Sequence, residues 1–220
     1  MRSYDQYCSV AKSLDLVGDR WTLLIVRELI LRGACRYTDL RNGLPGIASN
    51  LLADRLRELE QAGVLSREDA PPPIATTLFS LTPRGEELEP LLAGLFRWGI
   101  PLMGDQKPAD VVKSHWLAGA LEQMLVDHQP TGPEATIVLE VGNEPIILEL
   151  RGGAVAVRTG RPKAADVKLT GPPMPIIGLL LGRLDPGDAR TRVIDFQGDL
   201  AILDRLHASP GPAITLAADS

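Results

Sequence analysis

Arg36, Tyr37 and Thr38 stand together at the start of one short helical segment, and Ser49, Asn50, Ala53 and Arg57 recur at helical spacing in the next. These residue types bind anions and base edges. A guanidinium and two hydroxyls beside the free amides of a helix start can hold phosphate oxygens. Asn matches the major-groove edge of adenine, and Arg that of guanine. The same residues also suit a solvated helix surface. Arg55 has two readings as well, a contact to phosphate or a brace to a carboxylate. Arg67, Thr76 and Thr77 flank the next turn, where Glu68 and Asp69 oppose contact with an anion. Cys8 has Lys12 one turn away, a candidate partner for a reactive thiol; its alternative is a small side chain packed in a helix interface. The chain carries no GxSxG, HExxH, P-loop or dinucleotide fingerprint, so no catalysis, cofactor or metal is expected.

The elements that must position these residues run from Arg36 to Gly63. A helix over 37–42 stops at Gly43, and a second is expected over 48–62. Leu52, Leu56 and Leu59 form one apolar stripe on the second helix, and Gly63 suits the position just past its end. Leu40 and Leu44 are placed to pack on that stripe. Gly43-Leu44-Pro45-Gly46 forbids a continuous helix. Two helices joined so tightly make a helix-turn-helix, whose second helix is the usual reader of a DNA major groove. Val64-Leu65 and Leu78–Leu81 then read as two strands around a proline-rich tip, Ala70–Pro73, which makes a winged helix. Leucine-striped helix pairs also occur in all-α proteins that never touch DNA, so periodicity alone leaves both readings open.

Before this unit, a helix is expected over 6–17 with Val10, Leu14 and Val17 on one side. Asp19 is a candidate N-cap for a central apolar helix over 21–31. After it, Thr82-Pro83 opens one long helix with Leu88, Leu91, Leu92, Leu95, Trp98 and Leu102 on its apolar face. A terminal helix this apolar suits a partner subunit.

The whole chain has 220 residues, 45% of them hydrophobic, enough for two domains that each bury a core. No apolar run is long enough for a membrane span and no signal-peptide pattern is present, so a soluble cytoplasmic protein with no membrane partner is expected. Cys8 and Cys35 and three scattered histidines give no zinc or disulfide framework. The net charge is −5, but residues 1–57 hold nine Lys or Arg against six Asp or Glu, so the acidity lies beyond them. Such a protein binds DNA where its basic groups converge on one face.

Five separated motifs, Tyr7-Cys8, Gly18–Thr22, Arg36–Leu40, Arg55–Glu60 with Gly63, and Leu81–Gly85, resemble the HxlR-type winged helix regulators of bacteria. The resemblance spans residues 4 to about 100. It implies a homodimer joined by terminal helices that binds two half-sites of double-stranded DNA, commonly as a repressor. It also implies that Cys8 occupies a position where some members sense oxidants. The chain departs from the pattern at Ala48, where a Ser cap is usual, and at Asn50 and Asp54, where a basic and an amide residue are common.

Residues 104–111 read as a linker between a domain over 1–103 and another over 112–220. The second begins with a helix over 112–128. Strands follow over 136–141, 146–151, 154–158 and 166–170, then an apolar helix over 175–182, a strand over 192–197 and a helix over 199–207. Ile146, Leu148 and Leu150 alternate with Glu149 and Arg151, as in a sheet covered on one face. The expected class is α+β with helices on one face. Ala165–Gly171, the helix ending at Gly182, and Gly198-Asp199 with the leucines beyond resemble the sterol carrier protein type-2 fold. That resemblance implies a pocket for a small apolar ligand, for which Trp116, Leu121, Met124, Met174, Ile177, Leu180 and Leu181 are the candidate lining. The same residues equally suit plain core. Two functions stay open: a regulator tuned by such a ligand, and a lipid-binding carrier whose winged helix contacts proteins.

Overall fold

The computed structural model describes residues 3–71, 76–103, 107, 109–185, 187–188 and 193–208, without the side chains of 207 and 208. The chain divides into two compact units, Met1–Gly99 and Ile100–Ser220.

The first unit begins with α1 (Ser9–Val17) and α2 (Thr22–Arg32). Helix α1 starts three residues later than its apolar spacing predicts. Only Ala11 and Val17 of it are buried, whereas Val10 and Leu14 are exposed. Asp19 does not cap α2 with its side chain: its backbone carbonyl accepts from the Thr22 amide at 3.1 Å, and its carboxylate pairs with Arg55. A two-residue strand β1 (Cys35–Arg36), absent from the sequence reading, leads into α3 (Tyr37–Gly43) and then α4 (Ser49–Gln61). The wing is β2 (Leu65–Asp69) and β3 (Thr77–Leu81), and the sheet order is β1-β3-β2, all antiparallel. Ala70 and Pro71 of the expected tip are described; Pro72 and Pro73 lie outside the described residues. Ile25, Leu29, Leu40, Leu44, Leu52, Leu56, Leu59 and Phe79 form one buried core.

The long helix expected after Thr82 is two helices, α5 (Pro83–Glu86) and α6 (Glu89–Gly99), followed by a 3₁₀ turn at Ile100–Leu102. Pro90 has no amide to give the Glu86 carbonyl, so it stands in the first turn of α6 and the break falls just ahead of it, at Glu87-Leu88. Thr82 caps α5 as expected, accepting from the Gly85 amide at 3.2 Å.

In the second unit α7 (Ser114–Met124) ends before the predicted 128, and β4 (Leu125–Asp127) follows. The predicted helix over 199–207 is a 3₁₀ segment at Leu200–Arg205 and then β10 (Leu206–Ala208). The reason is shared: β4 and β10 pair antiparallel, Leu206 opposite Asp127, and a distant strand partner is invisible to local periodicity. The main sheet holds β5 (Ala135–Glu140), β6 (Ile146–Arg151), β7 (Ala154–Thr159), β8 (Val167–Thr170) and β9 (Asp195–Gly198). Its order is β7-β6-β5-β8-β9, with β5 and β8 parallel and the other pairs antiparallel. Helix α8 (Pro173–Leu180) follows β8. Residue 192, where the last strand was expected to start, lies outside the described residues. The alternation on β6 is incomplete. Ile147 is as buried as Ile146 and Leu148, and Val138, directly opposite it, is buried too. That second face is apolar at its centre and ionic around it, with Arg158–Glu149 at 2.7 Å and Lys168–Glu140 at 3.0 Å.

Two polar contacts hold this unit and were not legible beforehand. Buried Ser114, at the start of α7, accepts from the amides of Asn143 and Glu144 at 3.2 and 3.0 Å and lies 2.9 Å from the Val141 carbonyl. Buried Arg205 donates to both oxygens of Asp127, at 3.2 and 2.8 Å, and to the Pro133 carbonyl at 2.6 Å. Burial pushes the Asp127 carboxyl up, but hydrogen bonds from Arg205 and the Gln129 amide outweigh it, and its pKa lies below the ordinary value.

Removing either partner leaves the other charged and buried. Asp127→Ala and Arg205→Ala are therefore each expected to destabilise the second unit by about 3–5 kcal/mol, measured by urea denaturation of the full chain. The folded pKa of Asp127 is depressed, so its contribution is complete above the ordinary carboxylate range and is lost as pH falls through the folded value. Asp127→Asn should remove that part of the acid limb in a pH titration of stability.

Candidate nucleic-acid interface

Burial of Leu52, Leu56 and Leu59 turns one side of α4 inward. Ser49, Asn50, Asp54 and Arg57 are exposed and Ala53 is half-buried. Positions 50, 53, 54 and 57 share a face at helical spacing, opposite the stripe. The start of α4 is tied to α3: the Tyr37 hydroxyl donates to the Ser49 carbonyl at 2.7 Å. Tyr37 thus sets the angle of the turn as well as standing at its surface. Arg36 and Thr38 beside it are exposed. The Arg36 amide donates to the Asp39 carboxylate at 3.1 Å, so the acid at the third helical position closes the start of α3 on its own.

The candidate residues do not all converge. Arg55 is 20% exposed and pairs with both Asp19 and Glu58, which joins the α1–α2 corner to α4. Its guanidinium is committed to a brace. Arg57 donates to Asp54 at 2.9 Å, in the open. On the wing Arg67 pairs with Glu60 at 3.7 Å, and the Thr77 hydroxyl donates to Asp69 at 2.7 Å. Thr76 is half-buried at the foot of β3.

Glu28, which the sequence reading passed over, is fully buried on α2, 2.8 Å from Arg27 and 3.8 Å from Arg32. A Cβ on Gly43 would lie 2.1 Å from its carboxylate. Gly43 is thus the seat of that carboxylate as well as the end of α3. No apolar periodicity signals either role.

Cys8 is exposed at the N-cap of α1, and Cys35 is buried in β1. Burial pushes the Cys35 thiol up, with Asp39 and Glu28 adding to the shift and Arg32 opposing it. A cleft of about 830 Å³ in this unit is lined chiefly by Tyr4, Leu14, Asp15, Asp19, Arg55 and Glu58. Four of its eight lining residues are charged and only Leu14 is aliphatic, unlike the lining expected of an apolar-ligand pocket. The residues named for that pocket lie in the second unit. Leu121, Met124, Leu180 and Leu181 are buried, and Trp116, Met174 and Ile177 are half-buried. Among the described residues no helix is long and apolar enough to cross a membrane, and no cluster of His, Cys, Asp or Glu could hold a metal.

A short helix, a tight turn, an exposed second helix and a two-stranded wing define a winged helix-turn-helix. The chain belongs to the HxlR-like helix-turn-helix family of transcriptional regulators, whose family model matches residues 16–107. It is 36% identical over 87 residues to the uncharacterised HTH-type transcriptional regulator YvaP of Bacillus subtilis (strain 168), covering 40% of this chain and 80% of that one. It is 35% identical over 92 residues to the uncharacterised HTH-type transcriptional regulator sll1512 of Synechocystis, covering 42% of this chain and 67% of the other. The reduced form of the transcriptional regulator YodB from B. subtilis is 28% identical, with a TM-score of 0.39 over 48% of this chain and 100% of that chain.

The contrast between the two thiols is directly measurable. In a native alkylation time course read by mass spectrometry, Cys8 is expected to label first. Cys35 should label only at the rate of unfolding, and rapid labelling of both would contradict the burial of β1.

Proposed function

We propose that this chain is a dimeric transcriptional repressor that reads operator DNA through α4. The observation that carries the reading is the outer face of α4, with Asn50 and Arg57 exposed, Ala53 half-buried between them and Ser49 exposed at the helix start, on a helix whose other side is locked into a buried leucine core, in a chain of this regulator family. Arg36 and Thr38 at the start of α3 are placed to take phosphate beside it. Arg55 acts from behind, as a brace, and the wing contributes backbone contacts beyond what Arg67, Thr76 and Thr77 can offer. Dimerisation is supported by apolar surface left on α1 and α6: Val10 and Leu14 on the first, and Leu91, Leu95 and Trp98 on the second, are all exposed, Trp98 at 71%. No residue of α6 is buried, and an exposed stripe of this kind marks an interaction surface.

The second unit is proposed to bind a small apolar effector in a sterol carrier-like fold. An α+β unit with helices over one face of a sheet is what that resemblance implies, and half-buried Trp116, Met174 and Ile177 offer apolar surface to a ligand. Such an effector alters DNA affinity only if it binds the two states of the regulator unequally.

Fluorescence anisotropy of the full chain, with duplex from upstream of its own gene and a scrambled duplex, tests the reading. Preference for the native duplex with affinity falling steeply with salt is expected. Asn50→Ala should cost about 1–3 kcal/mol of that preference while leaving the melting temperature unchanged. Unchanged DNA binding would remove α4 as the reading helix. Trp98→Glu is expected to convert dimer to monomer in sedimentation velocity and to weaken operator binding with it.

A further inference from the structure

One side chain on the outer face of α4 has no part in the reading above. Asp54 lies between Asn50 and Arg57, and its Oδ1 accepts from Arg57 Nη1 at 2.9 Å. The two side chains are 56% and 63% exposed. An ion pair this open adds little to stability, so the fold does not require it. A carboxylate turned toward a groove walled by phosphates weakens binding unless it meets a hydrogen-bond donor.

The four bases differ in what they offer. In the major groove thymine shows an acceptor and a methyl group, and guanine shows two acceptors. Adenine has an amino donor, but N7 beside it would repel a carboxylate. Cytosine offers its N4 amino group with no acceptor of its own alongside, and its partner guanine presents O6 and N7. A C·G pair therefore displays a donor for a carboxylate next to two acceptors for a guanidinium. The contact to Asp54 engages Nη1 of Arg57 and leaves Nε and Nη2, a two-pronged donor edge, for guanine. Positions 54 and 57 are about 4.5 Å apart along the helix axis, close to the roughly 3.4 Å step between base pairs, a spacing that suits one base pair or two neighbours.

We propose that Asp54 is a specificity-determining residue: it accepts from a cytosine N4 amino group and orients Arg57 onto guanine, so that the regulator selects a C·G pair in its site. This rests on α4 being the helix in the groove.

The test is selection from a randomised duplex pool by the full-length wild type, Asp54→Asn, Asp54→Ala and Arg57→Ala, with melting curves to show that all four fold alike. The wild type is expected to enrich a site with a C·G column. Asp54→Ala should reduce the preference in that column by about fivefold or more and leave the other columns intact. Asp54→Asn should move it toward adenine, which an amide can bond through N6 and N7. Arg57→Ala should degrade the same column or the one beside it. A wild-type site that Asp54→Ala selects unchanged would overturn the role of Asp54 while leaving α4 as the reader. Enrichment of no sequence by the wild type would overturn both.

Discussion

The orientation of α4 rests on three leucines. Leu52, Leu56 and Leu59 are each nearly inaccessible and pack with Leu40, Leu44 and Ile25. Burying one such side chain contributes about 1.5–3 kcal/mol, whereas an exposed pair such as Asp54–Arg57 contributes at most about 1 kcal/mol. The core therefore decides which way the helix faces, and the polar residues follow. At 3.6 residues per turn, fixing 52, 56 and 59 inward fixes 50, 54 and 57 outward. A slip of one position would bury a charge, which makes the register of α4 stiff against changes on its surface.

The leucine stripe sets the roll of the helix but not its ends, and those are held by separate contacts. At the start, the Tyr37 hydroxyl reaches the Ser49 carbonyl. At the finish, Gly63 takes a φ of 68° and the Val64 amide bonds back to the Leu59 carbonyl at 2.9 Å, a helix stop open to glycine without the Cβ penalty. Thr82 then donates to the Gly63 carbonyl at 2.6 Å. A Cβ on Gly85 would lie 2.1 Å from the Val64 carbonyl, so the first turn of α5 can approach only as glycine. The end of α4, the root of the wing and the beginning of α5 thus meet at one knot of backbone.

What could be read in the sequence followed what is local. Helical periodicity placed α3 and α4 to within a residue or so, and glycine and alternation placed β6 at its observed bounds. Pro90 was equally visible, yet the leucine pattern running through it argued for one helix, and the break went unread. The failures at 125–127 and 206–208 have a different origin. Leucine-rich spacing in both segments suits a helix, and only pairing across the fold makes them strands. The buried polar contacts were hidden for the same reason, because Asp127 finds Arg205 and Ser114 finds the turn at Asn143 through tertiary structure alone. Among the candidate interface residues, spacing picked out the exposed face of α4 but could not assign Arg55, whose carboxylate partners come from α4 itself and from the turn before α2.

Charge bears on how such an acidic chain could hold DNA at all. The residues after 57 carry fourteen basic groups against twenty-two acidic ones, so long-range attraction over most of the molecule is unfavourable and contact must be local. The wing adds little, since Arg67 and Thr77 are already engaged by Glu60 and Asp69. The exposed arginines of the helix-turn-helix are then the main cations near the proposed groove: Arg36 and Arg41, with Arg57 already paired to Asp54. Each phosphate neutralised releases counterion and adds about 0.9 to the slope of log affinity against log salt. A protomer with so few contributes a shallow slope, and a dimer doubles it. The oligomeric state and the salt exponent are therefore one question: a steep exponent requires two reading helices on the same duplex, because one helix does not carry enough positive charge to produce it.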